Sequence, residues 1–170
     1  MQQKNLTHKT SPEQSDTQAL WLKECAEFKE LQKIKSVDVF EAFTICFKLR
    51  KWNSSRFCEN TGLSQTIFSK IKNKSYKEGE YPSLQSIIAI CLGLQIPLDY
   101  SIEILNHCGY ALTNTKKDRC YKYILTHYEA FNIDQANEFL IKENFQPISD
   151  KDIYKNKIFA PRKINLPKSA

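Results

Sequence analysis

The chain has 170 residues, 41% of them hydrophobic and 26% charged, with a formal net charge of +6. That length fits one domain with a sizeable core plus tails, and only four glycines and six prolines argue against a turn-rich sandwich and for an all-α fold. The N-terminus lacks the apolar core of a signal peptide, and the most apolar run, Ile87 to Leu98, is too short to span a bilayer, so a cytoplasmic protein with no membrane partner is expected.

Residues 1–17 are polar, with almost nothing to bury, and read as a disordered arm. From Thr17 to Lys35 the stripe Trp21, Cys25, Phe28, Leu31 and Ile34 predicts an amphipathic helix that packs on the main domain or on its equivalent in a second subunit. Asp38 is placed to cap a helix carrying Phe40, Phe43, Phe47 and Leu49, whose basic end at Lys48, Arg50 and Lys51 suits the helix dipole.

The stretch from Ser54 to Lys74 reads as helix, turn, helix. Phe57 and Cys58 share an inward face, Gly62 interrupts, and Phe68 and Ile71 resume at a spacing of three. Gly62 suits the left-handed conformation that ends the first helix, Leu63 plugs the corner, and Ser64 is expected to cap the second. With Phe68 and Ile71 buried, the second helix, residues 64–73, keeps Gln65, Thr66, Ser69, Lys70 and Asn73 outside. Gln pairs bidentately with adenine, Lys with guanine and Ser or Thr with either, so this face is suited to reading base edges. The competing reading is a solvated polar face. Charge favours the first, because eight Lys or Arg between Lys48 and Lys77 oppose only Glu59, giving +7 in that window.

Downstream, Ser83 is placed to cap a helix lined by Leu84, Ile87, Ile88 and Cys91 and ended by Gly93. Leu98, Ile102, Leu105 and Cys108 predict the next helix, closed by Gly109. Tyr121, Ile124, Leu125 and Tyr128 predict a helix after the polar loop Thr113 to Lys117, and Ile133, Ala136 and Leu140 a last one. Residues 149–170 form a basic tail expected to be flexible: from Lys151 onward six Lys or Arg oppose Asp152, giving +5.

A small residue (Cys58) four before the turn glycine, Leu63 just after it, and Phe68 and Ile71 six and nine beyond it resemble the helix-turn-helix of the Cro/repressor (XRE-like) family. The resemblance continues through Pro82-Ser83-Leu84 to Leu92-Gly93-Leu94 and covers roughly residues 37–109. It implies a five-helix DNA-binding bundle within a domain of residues 18–148, here extended by one N-terminal and two C-terminal helices. It also implies a sequence-specific double-stranded DNA-binding protein, a transcriptional regulator acting as a homodimer. On this likeness Gln65, Thr66, Ser69 and Lys70 read bases. Ser54, Ser55, Arg56, Lys72, Asn73 and Lys74 hold phosphates, with Ser54 standing where the family commonly has Gln. The loop from Lys74 to Pro82 is longer than in many relatives.

Two rivals are a protein-interaction module of antitoxin or adaptor type on the same fold, and RNA or single-strand binding with Trp52, Tyr76 and Tyr81 as stacking platforms. Catalysis finds no Gly-rich phosphate loop, no HExxH and no nucleophile beside His8, His107 or His127. No cofactor is expected. The six cysteines show no CxxC pair and read as reduced core residues, and a zinc set of His107, Cys108, Cys120 and His127 matches no recognised finger spacing.

Overall fold

A computed structural model of the chain describes residues 26, 27 and 29–149. The expected arm at 1–17, most of the first helix and the basic tail from residue 150 lie outside the described residues. Helical residues 29–33 run into a 3-10 turn, Ile34–Ser36. Among the described residues seven helices follow: α1 (Val39–Leu49), α2 (Ser54–Thr61), α3 (Gln65–Lys72), α4 (Leu84–Gly93), α5 (Leu98–His107), α6 (Lys116–Thr126) and α7 (Ile133–Lys142). The fold is all-α, with no strand among the described residues.

Local chemistry accounts for most helix starts. Asp38 accepts the N–H groups of Phe40 and Glu41 at 3.0 Å each. Asn53, Ser83 and Thr115 cap α2, α4 and α6 in the same way, and Asn132 with Gln135 forms a reciprocal capping box on α7. Helix α6 begins at Lys116, inside the stretch expected as loop, because Thr115 takes the N–H of Asp118.

Helix α4 is the centre of the bundle. Every residue from Ser86 to Leu92 is buried, and α2, α5, α6 and α7 all pack on it. A helix apolar on all sides needs neighbours on all sides, and fully burying each isoleucine or leucine contributes roughly 1.5–3 kcal/mol. Helix α1 lies against α3, α5 and the 3-10 turn, with Phe43 and Phe47 inside. The described end of the N-terminal stripe is intramolecular core: Ile34 is buried, the Gln32 amide donates to Tyr100 Oη at 2.6 Å, and Glu27 pairs with Arg50 at 2.8 Å.

Gly93 does not end α4 through a left-handed turn; the positive φ falls on Gln95 instead. Gly93 is needed for proximity, because a Cβ there would sit 2.8 Å from the Asn60 carbonyl oxygen. Gly109 does take positive φ, at +77°. Helix α5 is rotated slightly from the expected register, burying Tyr100, Ser101, Ile104 and Leu105 while Leu98 and Ile102 stay half-buried. Cys46, Cys91, Cys108 and Cys120 are free and buried, and Cys58 is half-buried.

Candidate nucleic-acid interface

Helices α2 and α3 are joined by Gly62, Leu63 and Ser64. Gly62 has φ +67° and donates its N–H to the Cys58 carbonyl, which closes α2 as expected. The inward face of α2 differs from the expected one. Phe57 and Thr61, one turn apart, are fully buried, whereas Cys58 is half-buried. A threonine survives there because its hydroxyl is satisfied twice: Thr61 Oγ1 donates to the Phe57 carbonyl at 2.7 Å and accepts the Leu63 N–H at 3.1 Å. The second bond ties the corner down. Ser64 has the extended backbone of an N-cap but its side chain makes no capping bond.

Phe68 and Ile71 anchor α3, with 6% and 0% exposure. Phe68 packs within about a ring width of Phe47 and Phe57, at 5.1 and 5.2 Å between centroids. This rigid inner side fixes which side chains face outward. Gln65, Thr66, Ser69, Lys70 and Asn73 are all exposed, and the side chains of Gln65, Thr66 and Ser69 make no hydrogen bond to any described residue. Lys70 Nζ lies 5.6 Å from the Tyr76 ring centroid and Lys72 Nζ 6.0 Å from that of Phe68, contacts that steady the stems while the heads stay in water.

The flanking residues divide into two groups. Ser54 and Ser55 open α2, where the first N–H groups have no intrahelical partner and the dipole is positive, an arrangement suited to phosphate. Ser54 is half-buried, and Ser55 and Arg56 are exposed. Lys74, by contrast, is engaged within the protein. Its Nζ is 2.8 Å from Asp38 Oδ2 and 3.7 Å from a Glu41 carboxylate oxygen. The Lys74 hydrogen bond, aided by the N–H groups of Glu41 and Phe40, holds the Asp38 carboxyl below its ordinary value, and Asp38 raises Lys74 in return. Lys74 therefore buttresses the end of α3 against the start of α1. Arg50 is likewise tied, to Glu27 and to the Leu94 carbonyl at 3.2 Å. The positive charge of the window is thus partly spent inside the fold.

The three aromatic residues considered for stacking nucleobases have partners of their own. Tyr76 and Tyr81 stack on Phe40 at 5.3 and 5.8 Å, and Trp52 on Phe47 at 5.9 Å. The long loop after α3 is a lid over α1. No group of three or more His, Cys, Asp or Glu side chains able to hold a metal is found among the described residues. Burial pushes the thiols of Cys46 and Cys108 up to about 12, so both stay protonated at neutral pH and lack the thiolate a nucleophile needs. No helix among the described residues is long and apolar enough to cross a membrane.

No family model matches the chain, no curated protein does, and no solved structure does.

Proposed function

We propose that this protein is a sequence-specific double-stranded DNA-binding protein and transcriptional regulator, with α3 as its recognition helix. One observation carries the reading. Gln65, Thr66 and Ser69 stand exposed and without hydrogen bonds to any described residue on a short helix whose other side is locked by Phe68 and Ile71, beside Arg56, Lys70 and Lys72. Side chains of this kind, together with Lys70 and held on a rigid element, match base edges in the major groove while Arg56 and Lys72 meet phosphates. Ser54, Ser55 and Asn73 join Arg56 and Lys72 as phosphate contacts. Lys74 supports the helix from behind.

An eight-residue helix spans only a few base pairs, so the regulator acts as a homodimer on half-sites about 34 Å apart. The test is selection of bound sequences from random duplex DNA, followed by salt titration on the selected site. Enrichment of an inverted repeat with a log–log slope near −4, from about four phosphates at the motif, supports the reading. A slope near zero refutes it.

The protein-interaction reading keeps one observation in its favour. Tyr123 is 47% exposed and belongs to a surface aromatic cluster with His127 and Phe139, at 4.3 and 5.4 Å between centroids. If no duplex sequence is enriched, this cluster becomes the leading candidate surface.

A further inference from the structure

Helix α6 carries its positive charge at the end that disfavours it. Lys116, Lys117, Arg119 and Lys122 stand within seven residues against one acid, Asp118, and the two lysines open the helix, where the dipole is positive and acids are the favoured residues. The fold neutralises only one of the four. Lys116 pairs with Glu143 at 3.0 Å, whereas no ion pair joins Lys117, Arg119 or Lys122 to a described carboxylate. Asp118 turns its carboxylate to the Thr113 N–H at 2.9 Å and to the Thr113 hydroxyl. Arg119 is exposed, and Lys117 and Lys122 are half-buried, with stems laid on the protein and charged heads free to reach solvent. Like charges gathered at a positive helix end repel one another and add nothing to packing, a pattern that suits a surface facing a polyanion.

This basic ridge lies on the side of the domain where α3 begins. Lys117 Nζ is 5.6 Å from the Tyr121 ring centroid, and the Gln85 side chain, at the start of α4, faces the Tyr121 hydroxyl. Gln85 in turn lines one cleft of about 360 Å³ together with Gly62, Leu63, Ser64 and Ile67. Three successive neighbours therefore lead from the first turn of α6 to the turn that precedes the recognition helix.

We infer that Lys117, Arg119 and Lys122 are a second phosphate-holding surface, engaging the duplex that flanks the bases read by Gln65 and Thr66. The inference rests on the DNA-binding reading of α3. It gives the helices beyond residue 109 a part in binding, outside the stretch that resembles the Cro/repressor family. The ridge contributes affinity without sequence preference, because cations spread along a helix flank meet backbone oxygens rather than base edges. Three neutralised phosphates steepen the log–log salt slope by about 2 to 3 beyond what the motif alone supplies.

The test uses the full chain with Lys117, Arg119 and Lys122 all changed to Gln, and Arg119→Glu alone as a second variant at a fully exposed position, with helical circular dichroism confirming that both are folded. Binding to the selected duplex is titrated with salt, and hydroxyl-radical footprints are compared with those of the parent. The triple variant should bring the slope back to near −4, lower affinity about tenfold or more at about 50 mM salt, and lose protection only outside the base pairs that determine selection. Arg119→Glu should weaken all sequences alike and lower the slope by about one. An unchanged slope or footprint in the folded variants overturns the ridge while leaving α3 as the reader. A changed preferred sequence overturns its assignment as a phosphate holder. If the parent itself selects no duplex, the reading of α3 fails and the ridge falls with it.

Discussion

Replacing Gly93 with alanine sets two effects of opposite sign against each other. Within a helix, Gly→Ala ordinarily stabilises by roughly 0.5–1 kcal/mol, and Gly93 closes α4 with ordinary negative φ. The new methyl, however, would stand 2.8 Å from the Asn60 carbonyl oxygen and 3.2 Å from both Thr61 Cγ2 and Trp52 Cη2. The oxygen is backbone of α2 and moves only if α2 moves. Thr61 is held by its two hydrogen bonds, and Trp52 is stacked on Phe47 and set edge-on against Phe57. Overpacking against neighbours so constrained costs about 1–3 kcal/mol, so the net expectation is destabilisation by roughly 1–2 kcal/mol. For a domain of this size that is a fall in Tm of roughly 4–8 °C. Urea unfolding followed by helical circular dichroism, with Trp fluorescence as the second probe, measures it. A Gly93→Ala variant as stable as the parent, or more so, would show that α2 and α4 do not approach this closely. Gly109→Ala is the control: nothing lies within 4 Å of its Cβ position, but φ of +77° strains any L side chain by roughly 1–2 kcal/mol.

Asp38→Ala removes the α1 cap and should cost about 1 kcal/mol near neutral pH in thermal melts. Because the folded-state carboxyl lies below its ordinary 3.8, the contribution is complete above that pH and is lost as pH falls through the lowered folded-state value; a parent-minus-variant difference that grows as the solution is acidified below 3.8 would contradict this. The buried Asn137 amide accepts the Ile148 N–H at 2.9 Å and donates to Ser149 Oγ at 3.0 Å; Asn137→Ala strands both groups, and denaturant titration should find a loss of roughly 2–4 kcal/mol. A loss under half a kcal/mol would mean that the segment at 148–149 is not pinned. Gln65→Ala should relax base preference by roughly 1–3 kcal/mol at one base pair in repeated selection, whereas Lys72→Ala should weaken all sequences alike and lower the salt slope by about one. The same selected sequence after Gln65→Ala and Thr66→Ala would remove α3 as a reader of bases.

What was legible in the sequence is what residues within about one helical turn of each other decide. Apolar positions three and four apart give α1 to α7 their existence and approximate limits, Asp38 and Ser83 sit where caps are needed, and Gly62 and Gly109 adopt positive φ because turns at those points demand it. The polar outer face of α3 follows from the burial of Phe68 and Ile71 alone. Short-range rules were weaker where two residues compete for one seat. Cys58 is more apolar than Thr61, yet Thr61 is buried, since a hydroxyl paired to backbone on both sides also fastens the turn.

Tertiary structure decided everything that depends on partners far along the chain. Lys74 reads as one more cation near DNA until Asp38, 36 residues away, is brought to it. Arg50 reads likewise until Leu94, 44 residues on, accepts its guanidinium N–H. Gly93 looks like a helix end, and only the approach of Asn60 reveals it as a point of contact. Tyr76 and Tyr81 look available for stacking until the loop folds back onto Phe40. Asn137 carried no signal at all. A hydrophobic stripe records that a face is covered, but the identity of what covers it, and hence which polar groups are paired and which charges remain free, depends on how the helices pack in three dimensions.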